Sequence, residues 1–373
     1  MIVVSGGYQT KFGELWDKSL KDLIIEAGEG AIKDAKVKKS KIDLVIVGNK
    51  LAGKIGGQEH LGSLAIDCLG IRVPGIRVEA ACSSGGLAIH QAVLAIKAKQ
   101  VETVLVIGVE KMTDKGNGEI AEALMGAASE EERRVGLSFV GLYALMARVY
   151  MEKFGVTKKD LAKVAVKNHK NALKNNKAHF QKEIDINMVL KASMVAEPLG
   201  LFDCSPISDG AAGVVISKGS KGVEIVASEI ASDSLGLSRR KSLIELEATQ
   251  VAVKKAYLTS RINPRLNRGR PDMVDLAEVH DCFTIGEILA LEDLGLAKKG
   301  EGYKGVKIPI NTSGGLKACG HPVGATGVKQ IVEIYKQLNG KAGKRQVKNA
   351  KIGLTHNVGG TGGTAVVHIL RRQ

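Results

Sequence analysis

The side chains most able to do covalent chemistry in this chain are a handful of cysteines and histidines placed at turns. Cys82 lies in the run Val78-Glu79-Ala80-Ala81-Cys82-Ser83-Ser84-Gly85-Gly86. A strand-like segment runs into the thiol, and a helix is expected to begin near Ser83. That puts the sulfur at a helix N-terminus, where the dipole and free N–H groups favour a thiolate. A cysteine after a strand is often only packing, but the strand–Cys–helix order favours a nucleophile. The small residues that follow leave room for a substrate to approach. His321 lies in Gly320-His321-Pro322-Val323-Gly324-Ala325-Thr326-Gly327, introduced by Asn311-Thr312-Ser313-Gly314-Gly315. A histidine between Gly and Pro, just before a helix, is read as a general base able to take the proton of Cys82.

Two further segments carry polar groups at strand ends. Glu278-Val279-His280-Asp281-Cys282-Phe283-Thr284 ends an apolar run in titratable side chains, where functional groups of α/β sheets gather; a buried cysteine beside a satisfied histidine is the alternative. Thr355-His356-Asn357-Val358-Gly359-Gly360-Thr361-Gly362-Gly363 is glycine-rich, yet it leads into a strand and not a helix, so it is not a dinucleotide loop. A tight turn of this kind suits backbone N–H groups aimed at an oxyanion.

The elements that must position these groups alternate as strand and helix. Strands are expected at Ile2–Ser5, Leu44–Gly48, Ile76–Ala80, Thr103–Gly108 and Gly213–Ser217, with helices such as Ser19–Ala35 and Gly85–Lys99 between the first four. A second series follows at Val223–Ser228, Val274–Val279, Ile308–Asn311, Lys351–His356 and Thr364–Leu370, with helices at Ser242–Tyr257, Ile285–Leu294 and Val328–Leu338. Such alternation predicts an α/β fold with a mostly parallel sheet covered by helices. The repeated order predicts an internal duplication, a first half over 1–220 and a second over 221–373. The first half holds an insertion over about 111–209, with Lys-rich amphipathic helices at Phe139–Phe154 and Lys159–Asn175. Long insertions of this type commonly carry binding or lid functions.

At 373 residues the chain is longer than one ordinary core requires. No apolar run reaches the roughly 18–20 residues needed to span a bilayer. The start MIVVSGGYQTKFG lacks the pattern of a signal peptide, so a cytoplasmic protein with no membrane association is expected. The net charge of +15 would attract any polyanion. Aromatics, however, are only 3% of residues and are not interleaved with the basic clusters, so nucleic acid is not the expected partner. The lysines read mainly as solvated helix faces. The five cysteines (68, 82, 204, 282 and 319) form no CxxC pair, which argues against a disulfide framework and against a metal site.

Taken together and in this order, the four segments resemble the thiolases over essentially the whole chain. GHPVGATG and the AxCSSG turn are the specific elements. HDCF and HNVGG resemble the branch of the sterol-carrier-protein thiolases and archaeal acetoacetyl-CoA thiolases. The resemblance implies a duplicated thiolase fold, two mixed sheets with helices between and outside them in αβαβα layers. It implies condensation of two acetyl-CoA to acetoacetyl-CoA plus CoA, reversibly, through an acetyl-Cys82, with His321 shuttling the proton and no cofactor or metal. Most thiolases carry a second catalytic cysteine where Asn357 stands, and an asparagine where His280 stands. The resemblance therefore moves the second acid/base to Cys282, with His356 as the fallback. It assigns one oxyanion site to His280 and His321 and the other to the N–H groups of Cys82 and Gly359. Coenzyme A is expected across the insertion near Leu201–Gly210, where Cys204, Ser205 and Ile207, with His356, are candidate contacts; a structural turn is an equal reading of that loop. Cys68, Cys204 and Cys319 match no catalytic position. A homodimer or dimer of dimers is implied, as is association with HMG-CoA synthase and a small OB-fold protein in mevalonate and isoprenoid synthesis. The alternatives are a degradative 3-ketoacyl-CoA thiolase of longer chains and a non-catalytic acyl-CoA- or lipid-binding relative.

Overall fold

A computed structural model describes residues 1–262 and 274–373. In chain order the elements that build the site are strand β1 (Ile2–Gln9), helix α1 (Leu20–Ala35), β2 (Leu44–Gly48), α2 (Leu61–Leu69), β3 (Gly75–Val78), α3 (Ser84–Lys97) and β4 (Thr103–Glu110). The insertion contributes α4 (Phe139–Phe154) and α5 (Lys158–Ala172), and β5 (Gly210–Lys218) closes the first half. Then follow β6 (Val223–Ser232), α6 (Glu247–Ser260), β7 (Leu276–Glu278), α7 (Thr284–Asp293), the short helix α8 (Gly315–Cys319), α9 (Thr326–Leu338), β8 (Ile352–Gly359) and β9 (Thr364–Arg372).

The strands hydrogen-bond in the order β3-β2-β4-β5-β1-β6-β9-β8-β7. Read outward from the middle, the first half runs 1-5-4-2-3 and the second runs 6-9-8-7. The counterpart of β3 is reduced to one parallel bridge, Ala277 to Ile310. Pro309 interrupts that segment, and a residue without an N–H cannot sustain a ladder. The two half-sheets meet only where β1 pairs antiparallel with β6, at Val3 to Glu224 and Val4 to Val223. They therefore fold over as two layers. α1 and α2 cover the outside of the first sheet, α6 and α7 the outside of the second, and α3 and α9 fill the space between them. The result is five layers, α, β, α, β, α, each β layer mixed in strand direction. Among the described residues no helix is long and apolar enough to cross a membrane.

A helix between two sheets must bury most of its surface. α3 accordingly buries Ala88, Ile89, Ala92, Val93 and Ile96, and reaches solvent at Leu94 and Lys97 near its C-terminal end. α9 is buried at every position but Lys336, and its two buried charges, Lys329 and Glu333, each have a partner. Lys329 Nζ lies 3.0 Å from Glu278 Oε2 and also donates to Ser313, and Arg345 Nε reaches both oxygens of Glu333 at 2.9–3.0 Å. The N-termini of α3 and α9 touch backbone to backbone. A Cβ on Gly85 would fall 2.6 Å from the Gly324 carbonyl, one on Gly324 2.5 Å from the Gly48 carbonyl, and one on Gly327 2.1 Å from the Gly86 nitrogen. The glycines after Cys82 thus admit the other half of the protein, more than they admit a substrate.

Breaking a buried ion pair by removing one partner strands the other charge. Lys329→Met should therefore destabilise the fold by about 3–5 kcal/mol, and the double variant Lys329→Met/Glu278→Gln should recover most of that loss. Urea denaturation of the three proteins checks both outcomes.

Candidate active site

The turn that carries Cys82 is knitted by its own side chains. Ser83 Oγ donates to the Ala80 carbonyl and Ser84 Oγ to the Ala81 carbonyl, both at 2.6 Å. Ser84 Oγ also accepts from Ala80 N–H at 3.0 Å. Ala81 is held at φ +51°, a left-handed conformation that a residue with a Cβ adopts only when its surroundings impose it. This sharp elbow ends β3 at Val78 and turns the sulfur toward a cavity of about 340 Å³. Cys82, Cys282, His321 and Gly360 line that cavity, joined by Phe139, Val140 and Tyr143 of α4.

Three titratable groups converge at this elbow. Cys82 Sγ and ring nitrogens of His280 and His321 lie within 4.8 Å of one another, and the two rings meet edge to face at 5.2 Å. The Nε2 atoms of both histidines are buried without a hydrogen-bond partner, although buried polar atoms are nearly always paired. His321 Nδ1 sits 2.7 Å from Thr326 Oγ1, and the Thr326 hydroxyl donates to the Pro322 carbonyl at 3.0 Å. With its only proton committed, Thr326 must accept from Nδ1–H. His321 Nε2 therefore presents a lone pair, as a base requires. The same sulfur and nitrogens have the donor types of a soft-metal site.

Burial keeps these groups neutral at rest. It pushes the Cys82 thiol above its ordinary value, against the opposing pull of the Lys50 charge and of the Gly360 N–H. It lowers His321 to about 3, with help from the Lys329 charge. Burial, then the neighbouring His321, His356 and Lys329, holds His280 well below the usual range. The Cys282 thiol is pushed well up, first by burial and then by Cys82, while a hydrogen bond with Tyr143 works the other way. A thiolate prepared by the helix N-terminus was the expectation. Desolvation of the sulfur instead favours the thiol, and the lone pair of His321 Nε2 is the acceptor at hand for its proton.

Residues 2–220 match the thiolase N-terminal domain and residues 230–372 the thiolase C-terminal domain-like family. The chain belongs to the thiolase family. It is 46% identical over 389 residues to an acetyl-CoA acetyltransferase of Methanothermobacter thermautotrophicus, covering 100% of this chain and 99% of the relative. It is 32% identical to sterol carrier protein 2 of Bos taurus, covering 99% of this chain and 72% of that protein. In fold it is similar to a solved acetyl-CoA acetyltransferase from Syntrophomonas wolfei, with a TM-score of 0.75, 20% identity and coverage of 100% and 99%.

In this thiolase, Cys82, His280 and His321 come together and Cys282 stands on the same cavity wall. Cys204, Ser205 and Ile207 also line the cavity, because Ser205 N–H donates to the Cys282 carbonyl at 2.9 Å and draws that loop inward. Gly359 pairs with Thr364 in the β8–β9 hairpin, and the N–H that reaches the Cys82 sulfur belongs to Gly360, which adopts φ +61°. One expectation needs correction. His356 is not at the site. Side chains alternate along a strand, so with Asn357 facing the nucleophile, His356 faces α6, where its Nε2 lies 2.9 Å from Thr249 Oγ1. Asp281 also points away and caps α8 by accepting from Leu316 N–H at 2.6 Å.

Two residues escaped the sequence reading. Tyr143 donates to the Gly360 carbonyl at 3.0 Å and stacks on Phe283 at 4.6 Å, yet nothing in the spacing of α4 marks it. Glu110 accepts from the N–H groups of Lys50, Leu51 and Gly324 at 3.0–3.1 Å and so ties the His321 turn to the first half. A buried acid ending an apolar strand was the available signal.

Because the resting sulfur is a thiol, alkylation of Cys82 by iodoacetamide should be slow at neutral pH and rise through the alkaline range. Its inflection should lie above the roughly 8.5 of a free thiol. Lys50→Met removes a charge that favours the thiolate, so the inflection should move higher still. Peptide mapping of the alkylated product reads both; a rate flat from pH 6 to 8 would mean a standing thiolate.

Proposed function

We propose that the protein is an acetyl-CoA C-acetyltransferase that joins two acetyl-CoA into acetoacetyl-CoA and releases CoA. The observation that carries this reading is the meeting of Cys82, His280 and His321 within 4.8 Å, where Cys82 and His321 line a cavity that also holds Cys282. Kinship with chains named acetyl-CoA acetyltransferase supports the choice of acetyl-CoA.

In the first half-reaction His321 Nε2 takes the Cys82 proton as the sulfur attacks the thioester carbonyl. The oxygen of the tetrahedral intermediate takes up negative charge beside the imidazoles and the Gly360 N–H. Collapse expels CoA as its thiolate, which His321 protonates. In the second half-reaction Cys282, once its thiol has lost its proton to solvent in a prior ionisation, removes an α-proton from another acetyl-CoA as thiolate. The carbanion attacks acetyl-Cys82, and the proton now on Cys282 passes to the departing Cys82 sulfur. Protons and charge balance over the cycle. The thioester itself acidifies the α-carbon, so the reading calls for no cofactor. Cys204, Ser205 and Ile207, with Phe139 and Val140 of the insertion, form the apolar walls along which the acyl-pantetheine arm would lie.

Beyond the chemistry, the proposal includes a cytoplasmic homodimer or dimer of dimers. It also includes coupling to HMG-CoA synthase and a small OB-fold protein in mevalonate synthesis, where consumption of acetoacetyl-CoA would draw the unfavourable condensation forward. The presence of both Cys82 and His321 in register weighs against a non-catalytic lipid-binding relative.

The division of labour between the cysteines is testable. Cys282→Ala should still acquire one acetyl group from acetyl-CoA in a single turnover, while condensation falls by about 10²-fold or more. Exchange of the acetyl-CoA methyl protons with deuterated solvent should fall in parallel. The burial that raises Cys282 also means that condensation by the native protein should speed up as pH rises and the thiolate is populated. A variant that condenses at the native rate would remove Cys282 from the mechanism.

A further inference from the structure

We infer that Asn357 is a positioning residue that sets the tautomer of His280, so that His280 presents Nε2–H to the thioester carbonyl oxygen. This rests on the proposed acetyl transfer for its functional meaning, but not for its physical argument.

The argument is a count of donors and acceptors. Asn357 Oδ1 lies 3.0 Å from Gly86 N, and a backbone N–H can only donate, so the atom facing it must be the amide oxygen. Asn357 Nδ2 lies 3.0 Å from the Cys82 carbonyl, which can only accept, so the atom facing it must be the NH₂. The two contacts fix the amide orientation independently, and they agree. One proton of Nδ2 goes to the Cys82 carbonyl. The second points to His280 Nδ1, 3.2 Å away. An Nδ1–H would meet an N–H head on. Nδ1 must then be the bare nitrogen, and the ring proton sits on Nε2.

That Nε2 has no partner within the protein although His280 is only 2% exposed, and a ring nitrogen of His280 lies within 4.8 Å of Cys82 Sγ and of a ring nitrogen of His321. His321 is forced by Thr326 into the opposite tautomer. The two imidazoles are therefore not interchangeable: His321 offers a lone pair that takes the thiol proton, and His280 offers a proton to the developing oxyanion. Asn357 cannot rotate out of this duty. A Cβ on Gly327 would fall 2.3 Å from its Oδ1 and one on Gly86 3.0 Å from it, so the amide is caged by the glycines that bring α3 and α9 together. The same side chain holds the Cys82 carbonyl, so the nucleophile turn and the oxyanion donor share one rigid strut.

The test is nitrogen-15 NMR of the full-length protein with ring-labelled histidine, the His280 signals being assigned by their loss in His280→Gln. The expected pattern for the native protein is a bare Nδ1 and a protonated Nε2. Asn357→Asp keeps the size and replaces the N–H donor by an acceptor. It should move the His280 proton to Nδ1 and lower kcat by about 10²-fold or more, the usual loss of one oxyanion donor, with KM for acetyl-CoA little changed. A protonated Nδ1 in the native protein overturns the proposal by itself, whether or not Asn357→Asp folds. An unchanged His280 pattern in a folded Asn357→Asp protein overturns it as well. A native protein with the expected tautomer but without acetyl transfer would sink the assigned reaction and leave the positioning role standing.

Discussion

The structure turns on the close approach of two helix N-termini across the middle layer. α3 begins just after Cys82 and α9 just after His321, and their first turns touch backbone to backbone at Gly85, Gly86, Gly324 and Gly327. A single Cβ at any of these would have to displace main chain or the caged Asn357. Each helix belongs to a different half of the duplication, so the contact converts two similar folds into one site. Cys82 and His321 are 239 positions apart in the sequence, 321 − 82, and this seam joins them. Glu110 reinforces it, since its carboxylate holds the Gly324 N–H together with two N–H groups that follow β2.

Burial in that seam has an electrostatic consequence. Removing Cys82, His280, His321 and Cys282 from water disfavours every charged form, and among the described residues none of the four has an ion-pair partner. The resting constellation is two neutral thiols and two neutral imidazoles. Charge then appears only during turnover, where fixed donors can meet it without reorganising. Such a site depends on which nitrogen carries each proton, and the neighbours Thr326 and Asn357 decide that in opposite senses. A solvated Cys–His pair would need no such control.

Much of this was legible in the residues. The thiol between strand and helix and the histidine between Gly and Pro singled out Cys82 and His321, and the repeated order of elements gave the duplication. The five layers and the interest of Cys282 came from the resemblance to the thiolases, since alternation alone suggested a mostly parallel sheet where both half-sheets are mixed. What escaped was decided by a single step of register. His356 and Asn357 are adjacent, and only the alternation of β8 against its partners shows which one faces the nucleophile. Tyr143 comes from an insertion helix whose amphipathic pattern gives no reason to favour it over Phe139 or Val140. Long-range contacts of this kind depend on how the insertion packs on the core, and local pattern does not encode that.

The claim at the centre is that Cys82 alone becomes acylated, because it alone joins an elbow, a base and oxyanion donors. Brief exposure of the native protein to acetyl-CoA, followed by acid quench, intact mass and peptide mapping, measures this directly. The account predicts one acetyl group per chain, on Cys82, discharged by added CoA and absent from Cys82→Ala. Acetylation of Cys282 or Cys204 instead, or a Cys82→Ala protein that still forms acetoacetyl-CoA at the native rate, would contradict it.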